Sequence, residues 1–174
     1  MVKIGIVTVS DRASRGEYED RGGPAIADWL GRVITSPWEK IARVIPDGVE
    51  SVRAALIDLV DREGVELLLT TGGTGPSPRD CTPEATESVV ERVFLGFGEE
   101  MRRASLTQVP TAILSRQMAG TRGRCLIVNL PGKPAAIDVC LSAVFAAVPY
   151  CLDLLGAGRI ETDPAVIKAF RPAS

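Results

Sequence analysis

VELLLTTGGTGP, residues 65–76, is a short apolar run that leads directly into a turn made of glycines and threonines. Residues 65–70 predict a buried β-strand, because a brief apolar run bounded by turn residues is typical of a strand covered on both faces. Glycines at the end of such a strand allow the backbone to approach a phosphate and to direct N–H groups at it. The stretch has neither the lysine of a Walker loop nor the spacing of a dinucleotide fingerprint. It therefore indicates a buried strand followed by an anion-binding loop, and a plain glycine-rich turn is the alternative.

Strands and helices alternate on both sides of this loop. Further strands are predicted at residues 3–9, 41–45 and 125–130, and helices at residues 49–60 and 99–106 and from Pro24, Thr82 and about Ala135 onward. Thr82 is expected to cap its helix, with Pro83 at the first helical position. Alternating strands and helices imply right-handed βαβ crossovers. We predict a three-layer α/β fold with an open, mostly parallel sheet and helices on both faces.

The length and composition suit one ordinary globular domain. The 174 residues are 45% hydrophobic, 24% charged and 5% aromatic, so aliphatic side chains must form the core. Residues 1–156 are expected to form the domain, and residues 157–174, which are rich in proline and polar side chains, a C-terminal surface arm. The net charge of −2 argues against non-specific nucleic-acid binding, which needs a basic surface.

The sequence also bears on membranes and on location. No stretch approaches the run of about 20 apolar residues that a membrane span requires. Residues 1–4 enter an apolar strand at once and lack the layout of a signal peptide. A cytoplasmic location without a membrane partner is therefore expected.

Histidine is absent from the sequence, which excludes Ser-His and Cys-His catalysis and every His-ligated metal. The four cysteines form no C-x-x-C pair, so a zinc site has little support; they are Cys81, Cys125, Cys140 and Cys151. The last three lie in apolar segments and are expected to be reduced core residues, whereas Cys81 lies in a polar loop.

Polar sequence follows four of the predicted strands. The segments are Ser10-Asp11-Arg12, Pro46-Asp47, residues 70–80 and residues 129–134. In an open parallel sheet the carboxyl ends of the strands share one edge, where ligands bind. Residues that are distant in the sequence are therefore expected to meet in one cleft.

Asp47 and Asp80 are the two carboxylates expected to matter in this cleft. Mg²⁺ that is bound to substrate phosphates needs only one or two carboxylate ligands, and both aspartates are candidates. Each also has a simpler interpretation: Asp47 as the turn residue of Pro-Asp-Gly, and Asp80 as a helix cap or Asx turn before Thr82. Their position beside a glycine-rich anion loop favours a functional role.

Basic side chains close to these loops can supply positive charge: Arg12, Arg79, Arg116 and Lys133. Lys133 lies in a Pro-Gly-Lys-Pro loop that the prolines hold rigid. Arg102 and Arg103 share a predicted helix with Glu99 and Glu100, so we expect an exposed face with salt bridges there.

Residues 70–86, TTGGTGPSPRDCTPEAT, closely resemble the signature of the molybdenum cofactor biosynthesis fold family. The match continues through residues 10–24 (SDRASRGEYEDRGGP), 45–47 (IPD), 96–102 (GFGEEMR), 110–116 (PTAILSR), 129–134 (NLPGKP) and 148–155 (VPYCLDLL). The resemblance covers nearly the whole chain. The long loop after the first strand and the last of these segments are most similar to the molybdopterin adenylyltransferases, the Mog branch of the family. Cys81 departs from the family pattern, where valine or another small residue is common, and little effect is expected.

The resemblance implies an enzyme that binds molybdopterin and ATP with Mg²⁺, transfers AMP to the terminal phosphate of molybdopterin and releases pyrophosphate. It implies Asp47 and Asp80 as catalytic residues and as Mg²⁺ ligands. The residues expected to bind substrate and nucleotide are Ser10, Asp11, Arg12, Thr71, Gly72, Gly73, Thr74, Gly75, Ser115, Arg116, Asn129, Pro131, Gly132 and Lys133. It also implies a homotrimer, with the molybdate-insertion protein and molybdopterin synthase as further partners.

Two other functions stay open. A non-catalytic molybdopterin-binding paralogue would bind the pterin without releasing pyrophosphate from ATP. A scaffold of the same fold, as in gephyrin, is joined to linkers and to another domain, which these 174 residues do not contain. Metal insertion belongs in the family to a much longer, multi-domain protein and is not expected here.

Overall fold

The computed structural model describes residues 1–173, and its centre is a six-stranded sheet. The strands are β1 (Val2–Val9), β2 (Trp38–Ile45), β3 (Leu67–Thr71), β4 (Arg92–Val93), β5 (Ala119–Arg122) and β6 (Cys125–Leu130). Their order across the sheet is β2–β1–β3–β6–β5–β4. β1 pairs in parallel with β2 and β3, and β3 with β6, whereas β5 pairs antiparallel with β4 and β6. The predicted α/β fold with a mostly parallel sheet is confirmed.

The two antiparallel strands at one edge, β4 and β5, are additions to the predicted set. They contain only two and four residues, and β5 has no apolar run that a sequence pattern could detect. Gly123, with a φ of +55°, lies in the turn that joins β5 to β6. A glycine adopts this left-handed conformation without steric cost, which allows the tight antiparallel return.

Seven α-helices accompany the sheet. They are α1 (Asp11–Ser14), α2 (Gly22–Val33), α3 (Val49–Ile57), α4 (Thr82–Glu87), α5 (Leu95–Leu106), α6 (Pro134–Val144) and α7 (Val148–Leu154). A π-helical turn, Asp58–Arg62, extends α3. Short 3-10 turns occupy Pro110–Leu114 and Phe145–Ala147.

Apolar side chains of the sheet alternate between two cores, one on each face. Ile4, Leu69 and Val128 belong to the core shared with α2, α5, α6 and α7, while Val7 and Leu68 belong to the core shared with α3 and α4. Successive side chains of a strand point to opposite faces, so an almost continuous apolar run supplies both cores. The predicted three layers, with helices on both faces, are therefore confirmed.

Three helix starts differ from the prediction. α5 begins at Leu95 rather than at residue 99. α2 begins at Gly22 rather than at Pro24, and the Asp20 carboxylate accepts a hydrogen bond from the Gly23 N–H at 3.1 Å in its first turn. α4 begins at Thr82 itself, and Thr82 Oγ1 donates to the carbonyl oxygen of Gly72 at 2.9 Å. The predicted capping role of Thr82 is therefore wrong, because its hydroxyl joins the loop after β3 to the helix.

One helical segment, Pro134–Leu154, is long and apolar enough by length and composition to cross a membrane. The expectation that the sequence holds no such stretch is therefore wrong. Ile137, Leu141 and Phe145 of this segment are buried in the core on one face of the sheet. A helix that buries a wide side of its surface in a protein core has an apolar composition like that of a membrane-spanning helix.

The residues after α7 run over the surface of the domain. Ile160 is fully buried, and Ile34 forms an isolated antiparallel bridge with Thr162. The guanidinium of Arg171 pairs with the carboxylate of Asp153 on α7. These contacts attach this segment to the ends of α2 and α7.

All four cysteines are free thiols. Cys125 and Cys140 are buried in the cores as expected, and burial raises the pKa of both thiols. Cys151 is half-buried against the same core as Cys140. Cys81 lies in the loop before α4 and donates a weak hydrogen bond to the carbonyl of Pro78 at 3.6 Å.

The sheet has a topological switch point between β1 and β3. From β1 the chain moves outward to β2 and then returns across β1 to β3. The parallel register brings the ends of four strands to the same edge of the sheet, at Val9, Ile45, Thr71 and Leu130. Open α/β sheets bind ligands in the crevice at such a point.

Candidate active site

The glycine loop, residues 71–75, begins at the last residue of β3, at the switch point. Gly72 and Gly73 have φ angles of +96° and +68°, in the left-handed region that favours glycine. A Cβ atom at Gly72 would collide with the carbonyl oxygen of Val9, and one at Gly73 with the hydroxyl of Thr82. Local packing therefore requires both glycines.

Hydrogen bonds to neighbouring elements hold the glycine loop on both sides. Thr71 Oγ1 donates to the carbonyl of Pro131 at 2.8 Å, and the Gly72 N–H donates to the carbonyl of Leu130 at 3.2 Å. On the other side, the hydroxyl of Thr82 donates to the Gly72 carbonyl. The loop is thus fixed between the end of β6 and the start of α4.

Three consecutive backbone N–H groups of the glycine loop lack an acceptor. Within residues 1–173, no oxygen accepts a hydrogen bond from the N–H of Gly73, Thr74 or Gly75. The carbonyls of Thr74 and Gly75, in contrast, accept hydrogen bonds from Arg116. Successive unpaired N–H groups in a turn are a common binding site for phosphate and other anions. The loop therefore offers a row of donors to an anionic ligand.

Arg116 cross-links the glycine loop to the start of α4. Its Nε donates to the Gly75 carbonyl at 2.9 Å, and its Nη2 to the Asp80 carbonyl at 2.6 Å. Its Nη1 pairs with Glu84, and this hydrogen bond lowers the pKa of Glu84 and raises the pKa of Arg116. The guanidinium thereby holds Asp80 beside the loop.

Asp11 and Asp47 join the loops that follow β1 and β2. The N–H of Asp11 donates to the Asp47 carboxylate at 2.9 Å, and the N–H of Asp47 donates to the Asp11 carboxylate at 3.0 Å. Arg79 Nη2 donates to the second Asp11 carboxylate oxygen at 2.6 Å, and this bond is the main reason why the pKa of Asp11 is lowered. Because Arg79 precedes Asp80, these contacts bring Asp47 and Asp80 to the same part of the edge.

Each of the two predicted catalytic aspartates keeps one carboxylate oxygen without a hydrogen bond. Asp80 Oδ2 accepts the N–H of Ser77 at 3.0 Å, and Asp47 Oδ2 accepts the N–H of Asp11. No hydrogen bond reaches the Oδ1 atom of either aspartate from the part of the chain that the structure describes. Cys81, not Asp80, occupies the cap position of α4, so Asp80 closes a turn with Ser77 rather than capping the helix.

Two cavities flank the glycine loop. The large cavity, of about 450 Å³, lies between the glycine loop, α5, the 3-10 turn Pro110–Leu114 and the start of α6. The small cavity, of about 170 Å³, lies between the end of β1, the loop before α2 and the glycine loop. Of the predicted binding residues, Thr74, Gly75, Ser115, Pro131, Gly132 and Lys133 line the large cavity, and Ser10, Thr71, Gly72 and Gly132 line the small one.

Five of the predicted binding residues line neither cavity, and the same is true of Asp47 and Asp80; the five are Asp11, Arg12, Gly73, Arg116 and Asn129. Asn129 is fully buried, and its Nδ2 donates to the hydroxyls of Thr70 and Thr86 at 3.1 and 2.9 Å. The side-chain alternation of β6 turns Asn129 towards the face that carries α4. The guanidinium of Arg12 lies 5.2 Å from the centre of the Tyr18 ring, in cation–π contact.

Arg102 lines the large cavity, where the sequence pattern predicted an exposed face with salt bridges. Arg103 pairs with Glu100 as expected. Arg102 Nη1 instead donates to the carbonyls of Ser115 and Gln117, at 3.3 and 2.9 Å. The signal in the sequence is a glycine four residues earlier on the same helix, because a helix-interior glycine costs about 1 kcal/mol relative to alanine and indicates close packing.

A family model described as "Probable molybdopterin binding domain" matches residues 5–150 of the chain. This range contains the glycine loop, both aspartates and every residue that lines the two cavities. The chain belongs to this family.

Several molybdopterin-related proteins resemble the chain over nearly its full length. The curated molybdopterin adenylyltransferase of Escherichia coli K12 is 48% identical over 99% of this chain and 95% of its own. That of Haemophilus influenzae is 47% identical over 100% of this chain and 94% of its own. Among solved structures, the molybdopterin biosynthesis enzyme MoaB of Thermus thermophilus has a TM-score of 0.83 at 42% identity and covers 92% of this chain and 100% of its own. The molybdopterin biosynthesis Mog protein of Mycobacterium ulcerans has a TM-score of 0.81 at 42% identity, and the match covers 89% of this chain and 99% of its own.

The carboxylates of this member of the molybdopterin-binding family fit a magnesium ion that arrives with a substrate. Within residues 1–173, no three Asp, Glu or Cys side chains form a group that could hold a metal. A Mg²⁺ ion bound to nucleotide phosphates needs only one or two carboxylate oxygens. The unbonded Oδ1 atoms of Asp47 and Asp80 meet that requirement.

Proposed function

We propose that this protein is a molybdopterin adenylyltransferase, which transfers AMP from ATP to the terminal phosphate of molybdopterin and releases pyrophosphate. The observation that carries the proposal is the row of unpaired N–H groups at Gly73, Thr74 and Gly75, with Asp80 beside it and a cavity on each side. Relatives that bear this enzyme name, at 47–48% identity over nearly the whole chain, support the choice of reaction.

The reaction needs no side-chain base. The nucleophile is a phosphate monoester, whose second pKa is roughly 6, so it is mostly dianionic at neutral pH. A protein without histidine can therefore carry out the transfer by positioning. The work of the chain is to hold two anions in contact and to stabilise the charge that grows on the departing pyrophosphate. The N–H groups of Gly73, Thr74 and Gly75 do this as fixed donors to phosphate oxygens.

The two cavities support a separate binding place for each substrate. Both cavities include residues of the glycine loop, and Gly132 lines both. Ligands that occupy the two cavities would meet at the loop with their phosphates. This arrangement suits a reaction that joins two phosphate-bearing molecules through a new phosphate–phosphate bond.

Asp47 and Asp80 are the residues that would hold Mg²⁺ with the nucleotide. When bound, the ion neutralises charge on the ATP phosphates. The hydrogen bonds from Asp11 and Ser77 fix the orientation of the two carboxylates before any ligand arrives.

One incubation tests the proposed function. The protein is mixed with molybdopterin and Mg-ATP, the products are analysed by mass spectrometry for adenylylated molybdopterin, and released pyrophosphate is measured. We expect both products only when all three components are present. Molybdopterin binding without pyrophosphate release would identify a non-catalytic paralogue and would overturn the proposal.

An ATP analogue with a methylene bridge between the α- and β-phosphates provides the control for chemistry. It should bind in the place of ATP, yet it should yield no product, because the bond that breaks in the reaction is missing. Adenylylated molybdopterin formed in the presence of this analogue would reveal contaminating ATP.

We also propose that the protein acts as a homotrimer. The support, besides the family resemblance, is an exposed apolar segment that contains Val109, Ile113 and Leu114, at 51%, 67% and 51% exposure. Val109 and Leu114 also line the large cavity, so the segment borders that cavity. A neighbouring subunit would cover the segment, since exposed apolar clusters commonly mark interfaces. Light scattering should give three times the 18.5 kDa chain mass, and a stable monomer at micromolar concentration would contradict the trimer.

The same function suggests where and with whom the protein works. We propose a cytoplasmic location, where ATP is available as the second substrate. The molybdopterin synthase that supplies the pterin and the molybdate-insertion protein that receives the product are the proposed protein partners. Co-purification of either protein with the tagged chain from cell extract would test these contacts.

A further inference from the structure

Arg102 differs from the other half-buried arginines of the described chain because it has no carboxylate partner. The others each pair with an aspartate or a glutamate: Arg43, Arg116, Arg122 and Arg171. No carboxylate oxygen within residues 1–173 lies within 4.0 Å of the Arg102 guanidinium. A half-buried guanidinium without a carboxylate partner keeps its positive charge and free donors available, so this position suits an anion from outside the chain.

The hydrogen bonds of Arg102 leave one edge of the guanidinium unused. Nη1 donates to the carbonyls of Ser115 and Gln117. No acceptor in the described part of the chain receives a hydrogen bond from Nε or Nη2. These two nitrogens form the edge of a guanidinium that binds two oxygens of one phosphate or carboxylate group side by side.

Gly98 makes room for this guanidinium on α5. A Cβ atom at Gly98 would lie 3.0 and 3.1 Å from Nη2 and Nη1 of Arg102, and 2.6 Å from the carbonyl oxygen of Gln117. The missing side chain therefore lets Arg102 lie against its own helix, where the carbonyls of Ser115 and Gln117 can fix it. The donors are held in place before a ligand arrives, which lowers the cost of binding.

The large cavity around Arg102 is electrostatically suited to an anion. Its charged lining residues in the described chain are Arg102 and Lys133, and it contains neither aspartate nor glutamate. The remaining lining is uncharged, with the half-buried Pro131, Ala136 and Val139 among its apolar residues. An apolar wall strengthens the attraction between a cation and an anion because it excludes water.

We propose that Arg102 binds a phosphate group of the ligand in the large cavity through its Nε–Nη2 edge. The inference rests on the proposed function, which supplies two phosphate-bearing ligands, molybdopterin and ATP. Arg102 would be a binding residue that fixes one of these substrates at a second point, in addition to the N–H groups of the glycine loop.

Binding measurements with two variants and one control test this role. Titration calorimetry is carried out with molybdopterin and, separately, with Mg-ATP for the wild type, Arg102→Met, Arg102→Lys and Arg103→Met. Arg103→Met is the matched control, because Arg103 neighbours Arg102 on α5, is exposed and pairs with Glu100. We expect Arg102→Met to weaken the binding of one ligand by at least about tenfold, as the loss of charge-assisted hydrogen bonds requires. Arg103→Met should bind both ligands as the wild type does.

The ligand that loses affinity identifies the source of the phosphate. If it is molybdopterin, the wild type should bind it more weakly at about pH 5 than at about pH 7.5, because its phosphate monoester gains a proton at a pKa of roughly 6. Arg102→Met should lose most of this pH dependence. A purely structural role of Arg102 would lower the melting temperature and leave the pH dependence of binding intact.

Arg102→Lys covers the case in which Arg102→Met does not fold. The lysine ammonium can still donate to the carbonyls of Ser115 and Gln117, but it lacks the paired edge donors. We expect at least about a threefold loss of affinity for the same ligand. Unchanged affinity for both ligands in a folded Arg102 variant would overturn the inference. A wild type that binds molybdopterin and Mg-ATP but forms no product would overturn the proposed function instead.

Discussion

A Cβ atom on Gly75 would lie 2.9 Å from Oδ2 of Asp80. The glycine loop and the predicted catalytic carboxylate are therefore in direct contact, with no space between them for a side chain. The hydrogen bonds of Arg116 to the carbonyls of both residues maintain this contact. A change at Gly75 should consequently act on the position of Asp80.

Gly75→Ala should lower the rate of adenylyl transfer by about tenfold or more, because small displacements of catalytic groups have large effects on rate. Its φ lies outside the left-handed region, so alanine should cost little folding stability. Gly31→Ala on α2 is the control, because its Cβ atom would meet nothing within 4 Å. Steady-state rates and thermal melting of both variants are the measurements. Equal rates for Gly75→Ala and the wild type would show that Asp80 need not be held at this distance.

Asp80→Asn should retain the fold and lose about 10²-fold or more in rate, because it removes a full charge from the place proposed for Mg²⁺ and the substrate phosphates. The side-chain oxygen of asparagine can still accept the N–H of Ser77. Molybdopterin binding, measured by calorimetry, should remain. Asp28→Asn, an exposed change on α2, should leave the rate unchanged. Near wild-type turnover of Asp80→Asn would show that Asp80 has only a structural role in the turn with Ser77.

Arg79→Met should change how stability depends on pH. The hydrogen bond from Arg79 lowers the pKa of Asp11 from its ordinary value of 3.8. A carboxyl group with a lowered pKa in the folded state contributes stability above its ordinary pKa, and this contribution is lost as the pH falls through the lowered value. The melting temperatures of wild type and Arg79→Met should therefore differ at neutral pH and converge below about pH 4. A difference that is constant from neutral to acidic pH would contradict this origin.

Asn129→Ala should lower the free energy of unfolding by about 1–3 kcal/mol, because it leaves the buried hydroxyls of Thr70 and Thr86 without their donor. Denaturant titration measures this loss. The folded fraction should bind molybdopterin and Mg-ATP with wild-type affinity, because Asn129 lines neither cavity. A selective loss of ligand affinity with unchanged stability would restore Asn129 as a binding residue.

The strand and loop at residues 65–76 could be predicted because apolar periodicity and turn chemistry agree there. The strands β4 and β5 could not be predicted, because strands of two and four residues depend on pairing with a neighbouring strand rather than on their own sequence. Asn129 illustrates a second limit. It precedes a polar loop, so its place in the sequence suggests the cleft, whereas the alternation of β6 turns its side chain into the core.

Contacts that depend on a single hydroxyl or guanidinium group are harder to predict from sequence patterns than strands and helices are. The residue Thr82 fits a helix cap by its position before Pro83, yet its hydroxyl reaches back to Gly72. The charged neighbours of Arg102 on its helix suggest a solvent-exposed face, yet Arg102 lies beside Gly98 in the wall of a cavity. The partner of Thr82 lies ten residues earlier in the chain and is not visible from residue type. For Arg102 the only sequence signal is Gly98, four residues earlier on the same helix.

The acceptors at the end of β6 and just after it also determine when the site can form during synthesis. The glycine loop depends on the carbonyls of Leu130 and Pro131, about 60 residues further along the chain. A nascent chain on the ribosome can make β1, β2 and β3 before those acceptors emerge, but it cannot fix the turn after β3. Pairings between distant residues form late because the closure of long loops costs entropy. Stalled chains that end before residue 130 should therefore be unable to retain nucleotide or pterin, which confines ligand capture to chains that have completed the sheet.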